Sequence, residues 1–152
     1  GKTYTMSGQG SSTPGIYEMT AYEMFGRLSS LDPSTLPGGD PLIVCLSFFE
    51  IYGGKVRDLL NSKNPLRVME DAQQNVKVVG LKEYIAETVE DVFDLIDVGN
   101  SLRSSGQTQA NDQSSRSHAI WTLAAGLNGR RPCLRRRPNS APQRHPARPR
   151  TS

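Results

Sequence analysis

A polar octapeptide carries the densest group of potential ligands in the sequence. Residues 111–118 read NDQSSRSH and are followed at once by the apolar run AIWTLAA. The hydroxyls of Ser114 and Ser115 suit phosphate oxygens, and hydroxyl oxygens also suit Mg2+, which keeps several of its waters. Arg116 can form a bidentate pair with a phosphate or a carboxylate. The octapeptide therefore indicates a phosphate-binding loop that leads into a strand, although a plain serine-rich surface loop would also fit it.

The first residues of the sequence are a second candidate for phosphate chemistry. Gly1, Lys2 and Thr3 match the end of the phosphate-binding pattern GxxxxGK[ST], in which backbone amides surround the phosphates. In that pattern the lysine reaches the β- and γ-phosphates, the threonine hydroxyl binds Mg2+, and a helix begins directly afterwards. A GKT string alone is a weak signal. Its combination with NDQSSRSH at positions 111–118 favours a nucleotide site.

Three motifs in a fixed order resemble those of one family. GKTYTM at 1–6, FFEIYGGKVRDLL at 48–60 and NDQSSRSH at 111–118 are similar to the P-loop end, a strand pair and switch I of the kinesin motor domain. Residues 66–111 are most similar to the kinesin-13 class, whose internal motors depolymerise microtubules. The resemblance covers residues 1–123, approximately. It implies the α/β fold of an incomplete P-loop NTPase, a mixed sheet flanked by helices, with ATP and Mg2+ as cofactors and tubulin as partner.

Carried onto this sequence, the P-loop match assigns the first residues to the nucleotide. Lys2 would neutralise charge on the β- and γ-phosphates, and Thr3 would bind Mg2+ through its hydroxyl. Gly1 and Tyr4 would lie beside the nucleotide. The amides that surround the phosphates in the family precede Gly1, so we expect a polypeptide limited to these 152 residues to bind nucleotide weakly.

The switch I match assigns four residues of the octapeptide. Ser114 and Ser115 would close on the γ-phosphate, and Ser115 would also reach Mg2+ through a water molecule. Arg116 would pair with a glutamate of switch II, and Asn111 would order the loop. No DLAGSE-like switch II string follows His118, so we expect these residues alone to show no microtubule-stimulated ATP hydrolysis. The resemblance nevertheless implies a family ATPase that acts on microtubules in the cytoplasm and on the spindle.

Charge is divided unevenly along the chain. Residues 1–129 hold all 15 acidic residues, whereas residues 130–152 hold 8 arginines, 5 prolines and no acid. Such a composition cannot build a core and predicts disorder. We therefore expect a partial motor domain over residues 1–124 and a disordered tail over residues 125–152. An alternative function is a noncatalytic protein whose basic tail binds tubulin or nucleic acid electrostatically.

The cysteines and the hydropathy pattern limit the compartment. Cys45 lies in an apolar run and Cys133 in the tail, and this wide spacing predicts two free thiols in a reducing compartment. No apolar run approaches the roughly 20 residues that a membrane-spanning helix needs. The sequence therefore predicts a cytosolic or nuclear protein without a membrane partner, and the resemblance narrows this to the microtubule cytoskeleton of the cytoplasm.

The elements that would position these loops can be predicted from patterning. Residues 42–52, LIVCLSFFEIY, are almost continuously apolar and predict a central strand covered on both faces. Gly53 and Gly54 predict a tight turn into a second strand. Two helices are expected, at residues 16–28 and 88–103. Short strands are expected at residues 66–71 and 75–86, joined by a turn at 73–75. A further strand, at residues 119–124, is expected beside the first.

Four polar residues of these elements have structural interpretations. Glu50 needs a partner within its apolar strand because an unpaired buried charge costs several kcal/mol, and we expect an arginine or a backbone amide rather than a catalytic role. Thr88 and Asp91 predict a capping box that begins the second helix. His118 is expected to make a structural polar contact rather than to transfer a proton. The buried stripe of the second helix is predicted at Val89, Val92, Phe93, Ile96 and Gly99.

Overall fold

The computed structural model of the chain describes residues 2–8, 13–36, 38–104, 117–127 and 133–134. Its helices are α1 (Lys2–Ser7), α2 (Ile16–Ser29), a short 3-10 helix (Pro33–Thr35) and α3 (Val89–Ser104). Its strands are β1 (Leu42–Tyr52), β2 (Lys55–Asp58), β3 (Asn64–Glu70), β4 (Val76–Val79), β5 (Tyr84–Ala86) and β6 (Ser117–Leu127). Both predicted long helices and the central strand are confirmed. None of the described helices is both long and apolar enough to cross a membrane.

The six strands form one sheet in which every pairing between these strands is antiparallel. β6 lies along the whole of one edge of β1, as predicted, while β2 and β5 share the other edge and β3 and β4 continue beyond β2. The expectation of mixed directions is wrong for these strands. β5 and β6, which do not directly follow β1 in sequence, pair antiparallel with it, and short turns return β2, β3 and β4 antiparallel. One such turn contains Gly53 and Gly54, whose φ angles of 55° and 71° suit glycine in a hairpin.

The hydrophobic core lies on the face of the sheet that carries α2 and α3. Val44, Leu46 and Phe48 alternate along β1 toward this face. Their partners in the buried cluster include Ala21 of α2 and Val92, Leu95 and Ile96 of α3. Burying a large apolar side chain contributes about 1.5–3 kcal/mol before the entropic cost of ordering the chain. The predicted stripe of α3 is confirmed, but Leu95, which is also buried, is missing from the predicted set.

Helix α3 can pack closely on the sheet because it contains a glycine at the contact. Gly99 is buried, and a Cβ at this position would overlap the ring of Phe48. Any larger residue would force the helix or the ring to move, and overpacking of this kind costs about 1–3 kcal/mol. Gly99 therefore fixes how near the last turns of α3 lie to β1.

A capping box begins helix α3. The backbone amide of Asp91 donates to Thr88 Oγ1 at 3.2 Å, and the amide of Thr88 donates to Asp91 Oδ2 at 3.0 Å. Asp91 Oδ2 also accepts from the amide of Glu87 at 2.9 Å. Caps of this kind satisfy amides that the first helical turn leaves without partners and contribute about 1 kcal/mol. The predicted capping box is confirmed.

The face of β1 opposite the helices is covered in part by residues 133–134, here called the C-terminal segment. Residues 44–48 are consecutive and all buried, so β1 is covered on both faces there, as predicted. Cys45 forms a disulfide with Cys133, and the expectation of two free thiols is wrong. The prediction failed because a separation of 88 residues in sequence does not exclude proximity in the fold. The next residue, Leu134, forms an isolated bridge with Tyr84 at the outer edge of β5.

The folded part of the chain extends past residue 125, where the disordered tail was predicted to begin. β6 continues through residues 125–127, since AAGL extends the apolar pattern of the strand. Residues 133–134 are also joined to the sheet. These two segments correct the expectation of disorder from residue 125 onward. The remainder of the predicted tail lies outside the described residues, and the division into a motor part and a tail stays a prediction.

Candidate nucleotide-binding site

The first residues of the candidate site open helix α1. The helix runs from Lys2 to Ser7, so the helix expected at the phosphate-binding pattern is confirmed. Tyr4 is about half exposed, and His118 is exposed at the start of β6, where its predicted polar contact stays a prediction. The candidate residues that lie outside the described part of the chain are Gly1, Asn111, Ser114, Ser115 and Arg116. Their roles stay predictions.

Close backbone packing joins α1 to α2. The amide of Gly8 donates to the carbonyl of Tyr4 at 2.8 Å, and a φ of 74° at Gly8 turns the chain away from the helix. Gly8 and Pro14 then form an isolated bridge. A Cβ on Gly15 would overlap backbone atoms of Met6 and Gly8, so only glycine permits this approach. Because Gly15 directly precedes α2, the candidate phosphate segment is anchored to the start of α2.

The two ends of the loop that carries most of NDQSSRSH meet at a hydrogen bond. Arg103, in the last turn of α3, donates from Nη2 to the carbonyl of Ser117, the first residue of β6, at 3.2 Å. Residues 105–116 connect the two elements in sequence. A hydrogen bond from a charged donor contributes about 1.5–3 kcal/mol. This bond therefore closes the loop at its root.

Glu50 holds the same end of the loop from the central strand. It is buried in β1, and the hydroxyl of Ser117 donates to Glu50 Oε2 at 3.4 Å, a long hydrogen bond. Ala119 lies directly opposite Glu50 on β6, so Ser117 is a diagonal neighbour within reach of a long side chain. Among the residues that the structure describes, the partner found for Glu50 is this hydroxyl, and not the expected arginine or amide. Glu50, Arg103 and Ser117 are together termed the loop base.

Tyr17, in the first turn of α2, connects α2 to the loop base. Its ring lies edge-on to Trp121 of β6, with centroids 5.1 Å apart and planes at 87°. Such pairs contribute about 0.5–1.5 kcal/mol beyond their burial. Burial raises the pKa of Tyr17, and the positive charge of Arg103 partly opposes that rise. The candidate phosphate segment and the root of the candidate switch loop are therefore attached to one framework.

Sequence reasoning missed Arg103 and Tyr17 of this framework, and it also missed one buried aspartate outside it. For Arg103, the sequence showed only that an arginine lies near a helix C-terminus, where basic residues are favoured. Nothing in the residues around Tyr17 predicted its contact. The aspartate is Asp58, at the end of β2, whose buried carboxylate accepts hydrogen bonds from the amides of Leu60 at 2.9 Å and Lys82 at 3.0 Å. Burial raises the pKa of Asp58, and these hydrogen bonds partly oppose it. An aspartate that ends a strand before a turn was the available signal, since aspartates often bond the amide two residues on.

Comparison with known families identifies the family of the chain. A family model described as the kinesin motor domain matches residues 1–131 of the chain. The match includes α1, the loop base and all of β6, and it continues past residue 123, where the sequence resemblance was expected to end. It covers most of the 152 residues. The chain therefore belongs to the kinesin motor domain family.

Proposed function

We propose that this chain forms the nucleotide-sensing part of a microtubule-dependent ATPase. Support comes from family membership over residues 1–131 and from the attachment of both candidate nucleotide segments to one framework. ATP and Mg2+ are the proposed ligands. The donor set fits them, because an ammonium group suits a polyphosphate and hydroxyl oxygens suit Mg2+. These donors are Lys2, Thr3, Ser114 and Ser115.

The proposed chemistry is electrostatic stabilisation of charge that develops on the transferred phosphoryl group, with no covalent intermediate. Bound Mg2+ would supply positive charge that offsets the negative charge of the phosphates. Lys2 and Thr3, at the start of α1, would hold the phosphates and the metal, with Gly1 and Tyr4 beside the nucleotide. Ser114 and Ser115 are proposed to close on the γ-phosphate side. Arg116 would pair with a glutamate of switch II, and Asn111 would order the loop.

The loop base is the observation that carries this proposal. A loop that responds to the third phosphate must rearrange while its ends stay in place. The Arg103 to Ser117 hydrogen bond joins the two ends, and Glu50 ties Ser117 to the central strand. These two contacts would keep α3 and β6 in register while the loop responds to the nucleotide.

The microtubule is the proposed partner, and kinesin-13 is the proposed class. The class rests on the resemblance of residues 66–111. Within that stretch, β3 and β4 are almost entirely exposed, and the resemblance places the equivalent lobe of kinesins against the microtubule. The proposed location is therefore the microtubule cytoskeleton of the cytoplasm, including the spindle.

Steady-state phosphate release with and without microtubules tests the proposed function. Two polypeptides are compared: the 152 residues alone, and a longer one that restores a phosphate loop before Gly1 and a kinesin-type continuation after Leu123. Only the longer one is expected to hydrolyse ATP, because each lost transition-state contact costs about 3 kcal/mol, or more than about a hundredfold in rate. Stimulated hydrolysis by the 152 residues would contradict this.

Substitutions in the longer polypeptide distinguish a damaged nucleotide site from a damaged fold. Lys2→Ala and Ser115→Ala are each expected to lower the stimulated rate by on the order of a hundredfold or more. Lys55→Ala, which changes an exposed lysine in the β1–β2 hairpin, is the matched control and is expected to leave the rate unchanged. A longer polypeptide that keeps its rate after Lys2→Ala would refute the assignment of the phosphate segment.

A second candidate function follows from the 8 arginines of residues 130–152. In this alternative the tail binds an acidic tubulin surface or nucleic acid without catalysis. Such binding would weaken steeply with added salt and would not depend on nucleotide, whereas motor binding would depend on which nucleotide is present. Binding that is lost on replacing Arg135, Arg136 and Arg137 with glutamine but kept after Lys2→Ala would favour the tail.

A further inference from the structure

Two cysteines and a glutamate converge at the edge of the sheet beside β5. Cys45 lies on β1, Glu83 directly precedes β5, and Cys133 lies in the C-terminal segment. Their ligand atoms, two sulfurs and a carboxylate oxygen, all lie within 4.8 Å of one another. Cys45 is 2 % exposed, and the other two are half-buried. These three residues are termed the cysteine cluster.

Backbone pairing fixes the cysteine cluster within the fold. Cys45 lies opposite Ile85 in the antiparallel pairing of β1 with β5. The amide of Leu134 donates to the carbonyl of Glu83 at 2.7 Å, and the amide of Ile85 donates to the carbonyl of Leu134 at 3.0 Å. Three neighbouring segments of the sheet therefore each contribute one residue, and sheet hydrogen bonds set their relative positions.

The spacing of Glu83 and Cys133 matches that of two ligands on one metal ion. Cys133 Sγ lies 3.6 Å from Glu83 Oε2. With Zn–S near 2.3 Å and Zn–O near 2.0 Å, a tetrahedral angle places the sulfur and the oxygen about 3.5 Å apart. In the disulfide Cys133 has no proton to donate, so the contact is a close approach and not a hydrogen bond. The two atoms are already spaced to share a cation.

We propose that the reduced cysteine cluster binds one thiophilic divalent cation such as Zn2+, and that the disulfide is its metal-free oxidised form. A dithiol reductant would transfer two electrons and two protons to the Cys45–Cys133 bond, giving two thiols and a cyclic disulfide of the reductant. Zn2+ then replaces the two thiol protons, which pass to solvent, and Glu83 supplies the third ligand. The sulfurs separate to about 3.8 Å on a tetrahedral ion, with water in the fourth position.

The two forms exclude each other but have the same effect on the fold. Sulfurs that are bonded to each other cannot both act as thiolate ligands. Either the disulfide or the cation ties residues 133–134 to β1. The metal therefore keeps the C-terminal segment on the sheet under reducing conditions, where the disulfide is lost.

Metal titration of the full 152-residue chain tests the proposal. The chain is reduced with a phosphine under nitrogen, freed of reductant and titrated with Co2+, whose thiolate complexes absorb in the near ultraviolet and visible. We expect one Co2+ per chain, displaced by one Zn2+, and at least about a hundredfold weaker binding by the oxidised chain. Zn2+ should also restore hydrogen-exchange protection of the Ile85 amide in the reduced chain.

Three variants assign the ligands. Cys133→Ser is expected to abolish the sulfur-to-metal absorption, and Glu83→Gln to weaken Zn2+ binding by about 10–100-fold; both residues are only half-buried, so the fold should tolerate each change. Glu70→Gln, at an exposed carboxylate on β3, is the matched control and should leave the affinity unchanged. No stoichiometric binding by the reduced chain, one ion shared by two chains, or affinity unaltered by Cys133→Ser would each overturn the proposal.

Discussion

The central strand β1 and the outer β3–β4 hairpin are both rich in strand-forming residues, but they are buried to very different degrees. Residues 44–48 of β1 are all buried, whereas β3 and β4 contain no buried residue. Four apolar side chains of the hairpin are exposed, namely Val68, Met69, Val76 and Val79. Among the described residues, the core cluster has no member from β3 or β4. Packing holds the centre of the sheet, whereas turns and backbone pairing shape the hairpin.

The same contrast separates two aspartates that organise turns. Asp58, at the end of β2, is fully buried, and burial raises its pKa. Asp71, directly after β3, accepts from the amides of Gln73 at 3.0 Å and Asn75 at 2.9 Å. Its pKa is lowered, first by the Lys77 ammonium and then by the Asn75 amide. Desolvation is therefore the main cause of the pKa shift at the buried turn, and the Lys77 ammonium is the main cause at the exposed turn.

The largest difference between the two regions is expected from one substitution made in both. Val44→Ala shortens a side chain that is 3 % exposed, and it should lower the free energy of unfolding by about 2–3 kcal/mol through lost burial and a cavity. Val68→Ala makes the same change at a side chain that is 52 % exposed, and it should cost about 0.5 kcal/mol or less. Urea unfolding followed by fluorescence of Trp121, the single tryptophan, measures both. Equal losses would contradict the contrast.

The secondary structure of both regions could be predicted because its signals are local. The apolar run at 42–52 determines β1, Gly53 and Gly54 determine its hairpin, and Thr88 with Asp91 determines the start of α3. Each signal is complete within a few consecutive residues, so no knowledge of the rest of the fold is needed. The candidate nucleotide residues were likewise found as short motifs.

Contacts between distant segments could not be predicted in this way. The Arg103 to Ser117 hydrogen bond and the Cys45–Cys133 disulfide join residues that no shared pattern relates. Asp58 illustrates the same limit, because one of its amide partners lies 24 residues further along the chain. Burial, which decides whether a polar residue needs such a partner, depends on the whole packed structure.

A smaller effect is expected when the buried aspartate loses one acceptor oxygen. Asp58→Asn keeps the shape of the side chain but leaves a single acceptor oxygen. Two backbone amides donate hydrogen bonds to the Asp58 carboxylate, one to each oxygen. One buried amide then lacks its partner, which should cost about 1–3 kcal/mol. Asp40→Asn, at an exposed aspartate, is the matched control and should change stability by about 0.5 kcal/mol or less. A loss for Asp58→Asn no larger than that of Asp40→Asn would refute the role of the buried carboxylate.

The pH dependence of this loss tests the raised pKa of Asp58. The folded chain retains the Asp58 proton above the ordinary pKa of 3.8, where the unfolded chain has released it. The corresponding stabilisation is fully present below the ordinary pKa and is lost as pH rises through the folded pKa. The stability advantage of the parent chain over Asp58→Asn should therefore shrink across this window. Urea unfolding at a series of pH values measures it, and an advantage that grows with pH would reverse the sign.

The smallest effect is expected in the exposed hairpin, at the ion pair of Asp71. Lys77 Nζ lies 2.9 Å from Asp71 Oδ2, and Lys77→Ala should raise the pKa of Asp71 toward its usual value. The amides of Gln73 and Asn75 remain, so part of the lowering should persist. A lowered pKa stabilises the fold above the unfolded pKa, and this stabilisation is lost as pH falls through the folded pKa. The substitution should shift that loss to higher pH.

Carbon-13 NMR titration of the Asp71 carboxyl group measures this shift directly. Lys55→Ala removes an exposed lysine that pairs with Tyr52 in the β1–β2 hairpin, and it should leave the Asp71 titration unchanged. If Lys77→Ala also leaves the titration unchanged, the amides alone set the pKa of Asp71. The exposed turn would then be held by backbone hydrogen bonds, as the buried turn at Asp58 is, and the two regions would differ in burial but not in the role of charge.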